Sequence, residues 1–255
     1  MKSVFEWLCA NRISINVTKT EFIIFKPPKK PLNQRIVLKL NGTKIFESPK
    51  IKYLGVILDP LLRWNHHINE LTKKNRAIGM IFKIRYDCTK SVLLSLYFSL
   101  FHSHLSYGLS VWGTSNDGYL SKLELQQKKV IRAINFSDFH AHTSPLFKSL
   151  NVLQLKDLFN HKIGSLMWDF DHHSLPDSLA SLFTRRDEIH NLNLRDKNKN
   201  KLYTAYRFNN RYGYNSFSHC GSLLLNQLKD LPFYGNCFSK SSFISKYKAF
   251  ILETY

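Results

Sequence analysis

Near Pro60 the spacing of apolar residues changes from about two to about 3.6 and stays there, and this change constrains the fold more than any other feature of the chain. A period of two belongs to strands and one of 3.6 to helices. The chain is therefore predicted to be α+β, with a small β-rich N-terminal part followed by a mostly α-helical region. VFEWLCANRI (4–13) reads as the end of an amphipathic helix, and SINVTKTEFIIF (14–25) as a turn leading into a strand. PPKKPLNQ (27–34) breaks the pattern. RIVLKL and TKIFES flank Asn41-Gly42, a dipeptide that accepts the positive φ angles of a type I′ turn, which predicts a hairpin. IKYLGVILD (51–59) reads as a further strand closed by Pro60. Helical spacing then runs through 67–84, 89–105, 116–134, 144–150, 153–170 and 245–255, with Asn116 or Asp117 as N-cap of the third. The expected divisions are 1–62, 63–183, a basic linker or binding loop over 184–216, and a small C-terminal tail, 217–255.

Charge narrows the partner. Of 255 residues, 37 are Lys or Arg and 18 are Asp or Glu, a net +19. Such an excess points to a polyanion, nucleic acid first and an acidic membrane surface second. A composition 44% hydrophobic and 14% aromatic excludes wholesale disorder. Cys9, Cys88, Cys220 and Cys237 are far apart and form no CxxC pair, which excludes a disulfide scaffold and fits a reducing compartment. With no secretory signal readable, an intracellular location is expected, nucleus or cytoplasm, and not secretion. Ser91–Asn116 contains no Lys, Arg, Asp or Glu and is long enough to span a bilayer. Its histidines, its serines and Gly108 favour a buried helical hairpin over a membrane span. Ser91, Ser95, Ser99 and Ser103 form a small-residue ridge expected to admit another helix closely.

Catalytic constellations are nearly lacking. Asp169, Asp171, His172 and His173 could hold a metal, or could be a polar helix end facing water. His102-x-His104 and His140-x-His142 have the wrong spacing to share a helix face. No glycine-rich phosphate loop, GxSxG or HExxH is present. Basic residues are more informative. Leu120, Leu123, Val130, Ile131 and Ile134 form an apolar stripe that leaves Lys122, Gln126 and Lys129 on one flank and Lys128 and Arg132 on the other. Lys73, Lys74, Arg76, Lys83 and Arg85 make a similar ridge on the first helical stretch. Arg185, Arg186, Arg195, Lys197, Lys199, Lys201, Arg207 and Arg211, interleaved with Tyr203, Tyr206, Tyr212 and Tyr214, form either a loop that pairs phosphates and stacks bases or a solubilising linker.

Several strings, in order, resemble one family. WLCANRISINVTKTEF (7–22) is similar to the stretch after the catalytic hairpin of non-LTR retrotransposon reverse transcriptases. IKYLGVILD resembles their next motif, the strand pair that grips the primer end. LRWNHHI, SHLSYGLSVWG and LQQKKVIRAI look like the thumb and connecting helices of jockey/CR1-type elements, and RYGYNSF with LLNQLKDLP resembles the tail of the same frames. The resemblance implies an RNA-directed DNA polymerase whose C-terminal part this chain matches, namely a palm remnant and a helical thumb. RNA, DNA or their hybrid would be the partner, with no small-molecule substrate of its own and membrane association unexpected. Lys19 matches the lysine of the N-x-x-K-T motif, a remnant general acid. Tyr53, Leu54 and Gly55 match the primer-grip turn. The family's magnesium-binding aspartate pair would precede Trp7, and the chain contains no Asp-Asp pair. The chain alone is therefore expected to be inactive and without a cofactor, magnesium being needed only by the complete polymerase. Alternatives are a non-catalytic basic nucleic-acid-binding protein derived from a mobile element, the end of a full polymerase begun at an internal methionine, and a helical membrane-associated protein. Strands at 20–26 and 51–58 are expected to leave an unpaired sheet edge.

Overall fold

In the computed structural model, which describes residues 2–26, 36–40, 42–74, 77–189, 201–204, 208 and 211–255, all strands lie between Glu21 and Leu58 and the rest is mainly helix. The protein is thus α+β. It divides into two units, Met1–Glu70 and Leu71–Tyr255.

The smaller unit begins with α1 (Lys2–Ala10). Asn16 then caps a 3-10 turn, Val17–Lys19, its side-chain oxygen accepting from the Lys19 N–H at 3.2 Å. β1 (Glu21–Phe22) follows, shorter than the strand expected over 20–26. β2 (Leu38–Leu40) and β3 (Thr43–Glu47) form the predicted antiparallel hairpin, with Gly42 at φ +76° and Asn41 outside the described residues. β1 joins β3 in parallel, giving the order β1-β3-β2. Residues 51–59 are not one strand. β4 (Ile51–Tyr53) turns back as β5 (Val56–Leu58), with Leu54 at φ +44° and Gly55 at φ +83°. Positive φ at both loop residues is the type I′ geometry that matches strand twist; the apolar Leu54 hides the turn from a pattern reading. Asp59 then organises the next loop, its carboxylate accepting from the N–H groups of Leu61, Arg63 and Trp64 at 3.0–3.1 Å.

The helix α2 (Asn65–Lys74) straddles the division between units. The larger unit continues with α3 (Ala77–Ile84) and α4 (Lys90–Tyr97), a π turn at Phe98–His102, α5 (Ser103–Ser106) and α6 (Leu109–Trp112). Next come α7 (Asp117–Ile134), α8 (Ser144–Ser149), α9 (Leu155–Asp171), α10 (Asp177–Ala180), α11 (Arg186–Ile189), α12 (Arg211–Tyr214), α13 (Phe217–Leu228) and α14 (Lys240–Glu253). The stretch predicted as one helix over 67–84 is α2 and α3, with residues 75 and 76 outside the described residues.

α9 is the hub of this unit, and α6, α7, α13 and α14 pack on it. Leu93, Tyr97, Phe101 and Leu105 are buried at every fourth position. In a regular α-helix such positions drift by about 40° per step. The π turn advances fewer degrees per residue and brings Phe101 and Leu105 back to the buried side. The serine ridge is a correction: Ser91, Ser95, Ser99 and Ser103 are all exposed, and Ser95 and Ser103 donate to the carbonyls of Ser91 (3.1 Å) and Ser99 (2.6 Å). The larger apolar residues on the opposite side bury more surface, and that decides which face turns inward. No described helix is long and apolar enough to cross a membrane. At the other end of the chain the Tyr255 hydroxyl donates to Asp157 Oδ2 at 2.6 Å and accepts from the Gln154 N–H at 2.8 Å, tying the last residue to the start of α9.

Candidate nucleic-acid interface

α7 carries the basic surface because its two sides are built differently. Asn116 caps it by accepting from the Gly118 N–H at 3.0 Å. Leu123, Val130, Ile131 and Ile134 are buried as expected, but Gln127 lies among them. Its amide nitrogen donates to the Tyr97 hydroxyl (2.9 Å) and the Leu153 carbonyl (3.0 Å), and its oxygen accepts from the Leu155 N–H (3.0 Å). This hub joins α4, α7 and the start of α9 and fixes the rotation of α7. Lys122 and Lys129 are thereby left exposed and Lys128 half-buried. The Lys122 ammonium also sits over the Tyr119 ring, 5.7 Å from its centre.

Gln126, on the flank of Lys122 and Lys129, donates to the Thr72 carbonyl of α2 at 3.2 Å. That bond brings the last turn of α2, with its exposed Lys73 and Lys74, against the lysine flank of α7. Among the described residues the ion pairs are Lys2–Glu6, Lys201–Asp230, Lys229–Asp171 and Lys240–Asp169, and none uses Lys73, Lys74, Lys122 or Lys129. Their charge faces solvent.

A second cluster forms where α3 ends and α7 ends. Lys83 is exposed. The Arg85 guanidinium lies 4.5 Å from the Tyr86 ring centre and 5.8 Å from that of Phe82, and it donates to the Tyr86 hydroxyl. Tyr86, 74% exposed, meets Phe136 at 6.1 Å between ring centres. α7 closes with Phe136 N–H on the Ala133 carbonyl (3.3 Å) and Ser137 N–H on the Arg132 carbonyl (3.0 Å), a Schellman motif that puts Phe136 at φ +55°. Lys90 Nζ donates to Asn135 Oδ1 at 2.6 Å, next to Phe136. Arg132 is committed to the fold, its Nε donating to the Ala141 carbonyl at 3.0 Å.

Other sequence-predicted positions are engaged within the larger unit or lie elsewhere. The Arg185 guanidinium covers the Phe170 ring at 6.0 Å, and Arg186 Nε donates to the Leu202 carbonyl at 3.2 Å. Asn226 pairs with both backbone groups of Leu202, at 2.8 and 3.0 Å, as a neighbouring strand would. Arg76, Arg195, Lys197, Lys199, Tyr206 and Arg207 are outside the described residues. Arg211 opens α12. In the smaller unit Lys19 is exposed in the 3-10 turn, and Tyr53, Leu54 and Gly55 form the β4–β5 turn. Leu54 is 72% exposed at its positive φ, a strained setting for a branched apolar residue.

The acid and histidine string holds helices together. Asp169 pairs with Lys240 at 2.5 Å, Asp171 with Lys229 at 2.6 Å, and Asp171 also accepts from the Tyr234 hydroxyl at 3.1 Å. His172 stacks on Trp168 at 3.8 Å. Among the described residues no group of three or more His, Cys, Asp or Glu is placed to hold a metal ion. A cavity of about 370 Å³, bordered by Val111, Phe159, Ile163, Leu182 and Cys220 among others, is mostly apolar.

Comparison with known proteins finds sequence similarity to polymerases of mobile elements. The chain is 27% identical over 147 residues to "RNA-directed DNA polymerase from mobile element jockey" of Drosophila melanogaster, covering 56% of this chain and 16% of that protein. It is 24% identical over 199 residues to "Probable RNA-directed DNA polymerase from transposon X-element" of the same species, covering 74% of this chain and 21% of the relative. It is 26% identical over 175 residues to "Retrovirus-related Pol polyprotein from type-1 retrotransposable element R1" of Bradysia coprophila, covering 65% and 16%. The chain thus spans about a fifth or less of the length of these relatives. No protein-family profile and no solved structure matches it.

Proposed function

We propose that the chain is a C-terminal part of a non-LTR retrotransposon reverse transcriptase and that it binds nucleic acid without carrying the catalytic aspartates. Its place of action is intracellular, in nucleus or cytoplasm, and its partner is RNA, DNA or their hybrid. The observation that carries this reading is the Gln126–Thr72 bond, which ties the turn of α2 bearing exposed Lys73 and Lys74 to the α7 residue between exposed Lys122 and Lys129, with no acid paired to these lysines among the described residues. Phosphate contact by lysines releases counterions, so affinity falls with salt roughly as 0.9 of the number of phosphates met on a duplex.

The similarity to jockey and X-element polymerases supports reading residues 1–62 as a palm remnant and 63–183 as a thumb-like helical region. The Tyr53–Leu54–Gly55 turn is then the primer-grip element. There the glycine allows close backbone approach to the primer, and Lys19 is the remnant of a lysine near the incoming triphosphate. Fluorescence anisotropy with an RNA–DNA hybrid at about 50 and 200 mM salt tests the reading, a range over which six to ten phosphate contacts cost a thousandfold or more. Lys122→Gln with Lys129→Gln is expected to reduce the slope of log affinity against log salt by about two. Binding that ignores salt would overturn the proposal.

A further inference from the structure

We propose that Phe136, Tyr86 and the Arg85 guanidinium form a stacking platform for an unpaired nucleotide strand, with Lys90 and Lys83 meeting its phosphates. This deepens the nucleic-acid reading and rests on it. The residue after a helix in a Schellman motif adopts the left-handed conformation, and glycine is the ordinary occupant. Here that position holds phenylalanine at φ +55°, the residue 48% exposed. Folding alone gains little from an aromatic there. A large ring kept in a strained backbone setting and turned to water is better accounted for by something that lies on it.

The surroundings say what that is. The Tyr86 and Phe136 ring centres lie 6.1 Å apart with their planes tilted by 43°, and the planar Arg85 cation lies over Tyr86 at 4.5 Å. Aromatic and guanidinium planes with cations around them suit the faces of unpaired bases, whose phosphates need a cation nearby. The C-terminal end of α7 is electronegative and disfavours a phosphate directly on it, which suits an uncharged base plane. Lys90, held at Asn135 by its 2.6 Å bond, and the exposed Lys83 supply positive charge for the backbone. A stacked duplex does not offer its base faces, so the platform selects single strands.

The experiment compares wild type with Phe136→Gly. That variant places the favoured residue at the left-handed position, so its thermal midpoint is expected to equal or exceed that of wild type. A dT oligonucleotide carrying 2-aminopurine, whose emission is quenched by stacking, and a duplex of equal phosphate number serve as probes. Phe136→Gly is expected to lose about tenfold in single-strand affinity together with the quenching, and to keep duplex binding. Tyr86→Ser, at a mostly exposed side chain, is expected to do the same. Equal loss on both probes, or loss on neither, would overturn the platform while leaving salt-dependent binding intact. If wild type binds neither probe, the nucleic-acid reading itself falls, and the platform with it.

Discussion

Replacing Gln127 by Ala is expected to lower the unfolding free energy by about 3–4 kcal/mol, because it strips three buried partners at once. The Tyr97 hydroxyl, the Leu153 carbonyl and the Leu155 N–H all lose their bond to the side-chain amide. Each buried polar group left unmatched costs about 1–3 kcal/mol, and the vacated space adds to that. Gln127→Leu restores much of the volume but none of the bonds, so it is expected to recover only part of the loss. Urea unfolding with the midpoint and slope fitted together gives the measurement. A change below about 1 kcal/mol for Gln127→Ala would show that the three partners find water or one another, and that the hub is not what fixes α7.

Acid is expected to destabilise the larger unit through His102. Burial, with the Lys162 and Lys248 ammonium groups nearby on α9 and α14, lowers its pKa from 6.5 to about 4. The ring packs beside Tyr97 and Phe98, and its buried Nδ1 has no hydrogen-bond partner. The unfolded chain therefore takes up a proton at a higher pH than the folded one. The stabilisation from keeping this ring neutral is complete above pH 6.5 and is lost as pH falls through about 4. The displacement corresponds to on the order of 2–3 kcal/mol once partial access of the ring to water is allowed for. Burial moves His161 in the same direction, so both rings act with one sign. His102→Phe is expected to flatten the fall in urea midpoint between pH 6.5 and 4, though not to abolish it. An unchanged slope in that variant would locate the acid sensitivity elsewhere.

The helices α7 and α9 are legible in the sequence because both carry large aliphatic residues at helical spacing. α13 is not. Its side toward α9 is made of Gly221 and Ser222 as well as Leu225 and Leu228. A Cβ on Gly221 would come within 2.6 Å of Met167 Sδ, so this helix approaches α9 through a residue that pattern reading counts as a breaker. The same small-residue logic, applied to Ser91–Ser103, pointed to the wrong face, since larger side chains were available opposite. At the interface, exposed lysines followed from helical phase once the apolar stripe was known. Phe136 and Lys90 did not, because their setting depends on a helix terminus and on a bond across 45 positions of sequence. The one local sign was an aromatic where a glycine or asparagine would close α7. Arg185 and Arg186 show the converse limit, since composition does not reveal which arginines the fold uses for itself.

The seam between α9 and α14 also gives the protein an optical signature. His172 lies on Trp168 at 3.8 Å, Trp168 on Phe243 at 4.6 Å, Phe243 on Tyr247 at 5.6 Å and Tyr247 on His161 at 5.7 Å, with interplanar angles of 16–20°. Five rings thus form one near-parallel column with an imidazole at each end. Such a column is chiral and held fixed by the helices that carry it, so its near-ultraviolet circular dichroism exists only while the seam is packed. Far-ultraviolet dichroism reports the helices whether or not they are docked. Recorded together, the two bands separate loss of helix from loss of packing in an unlabelled chain.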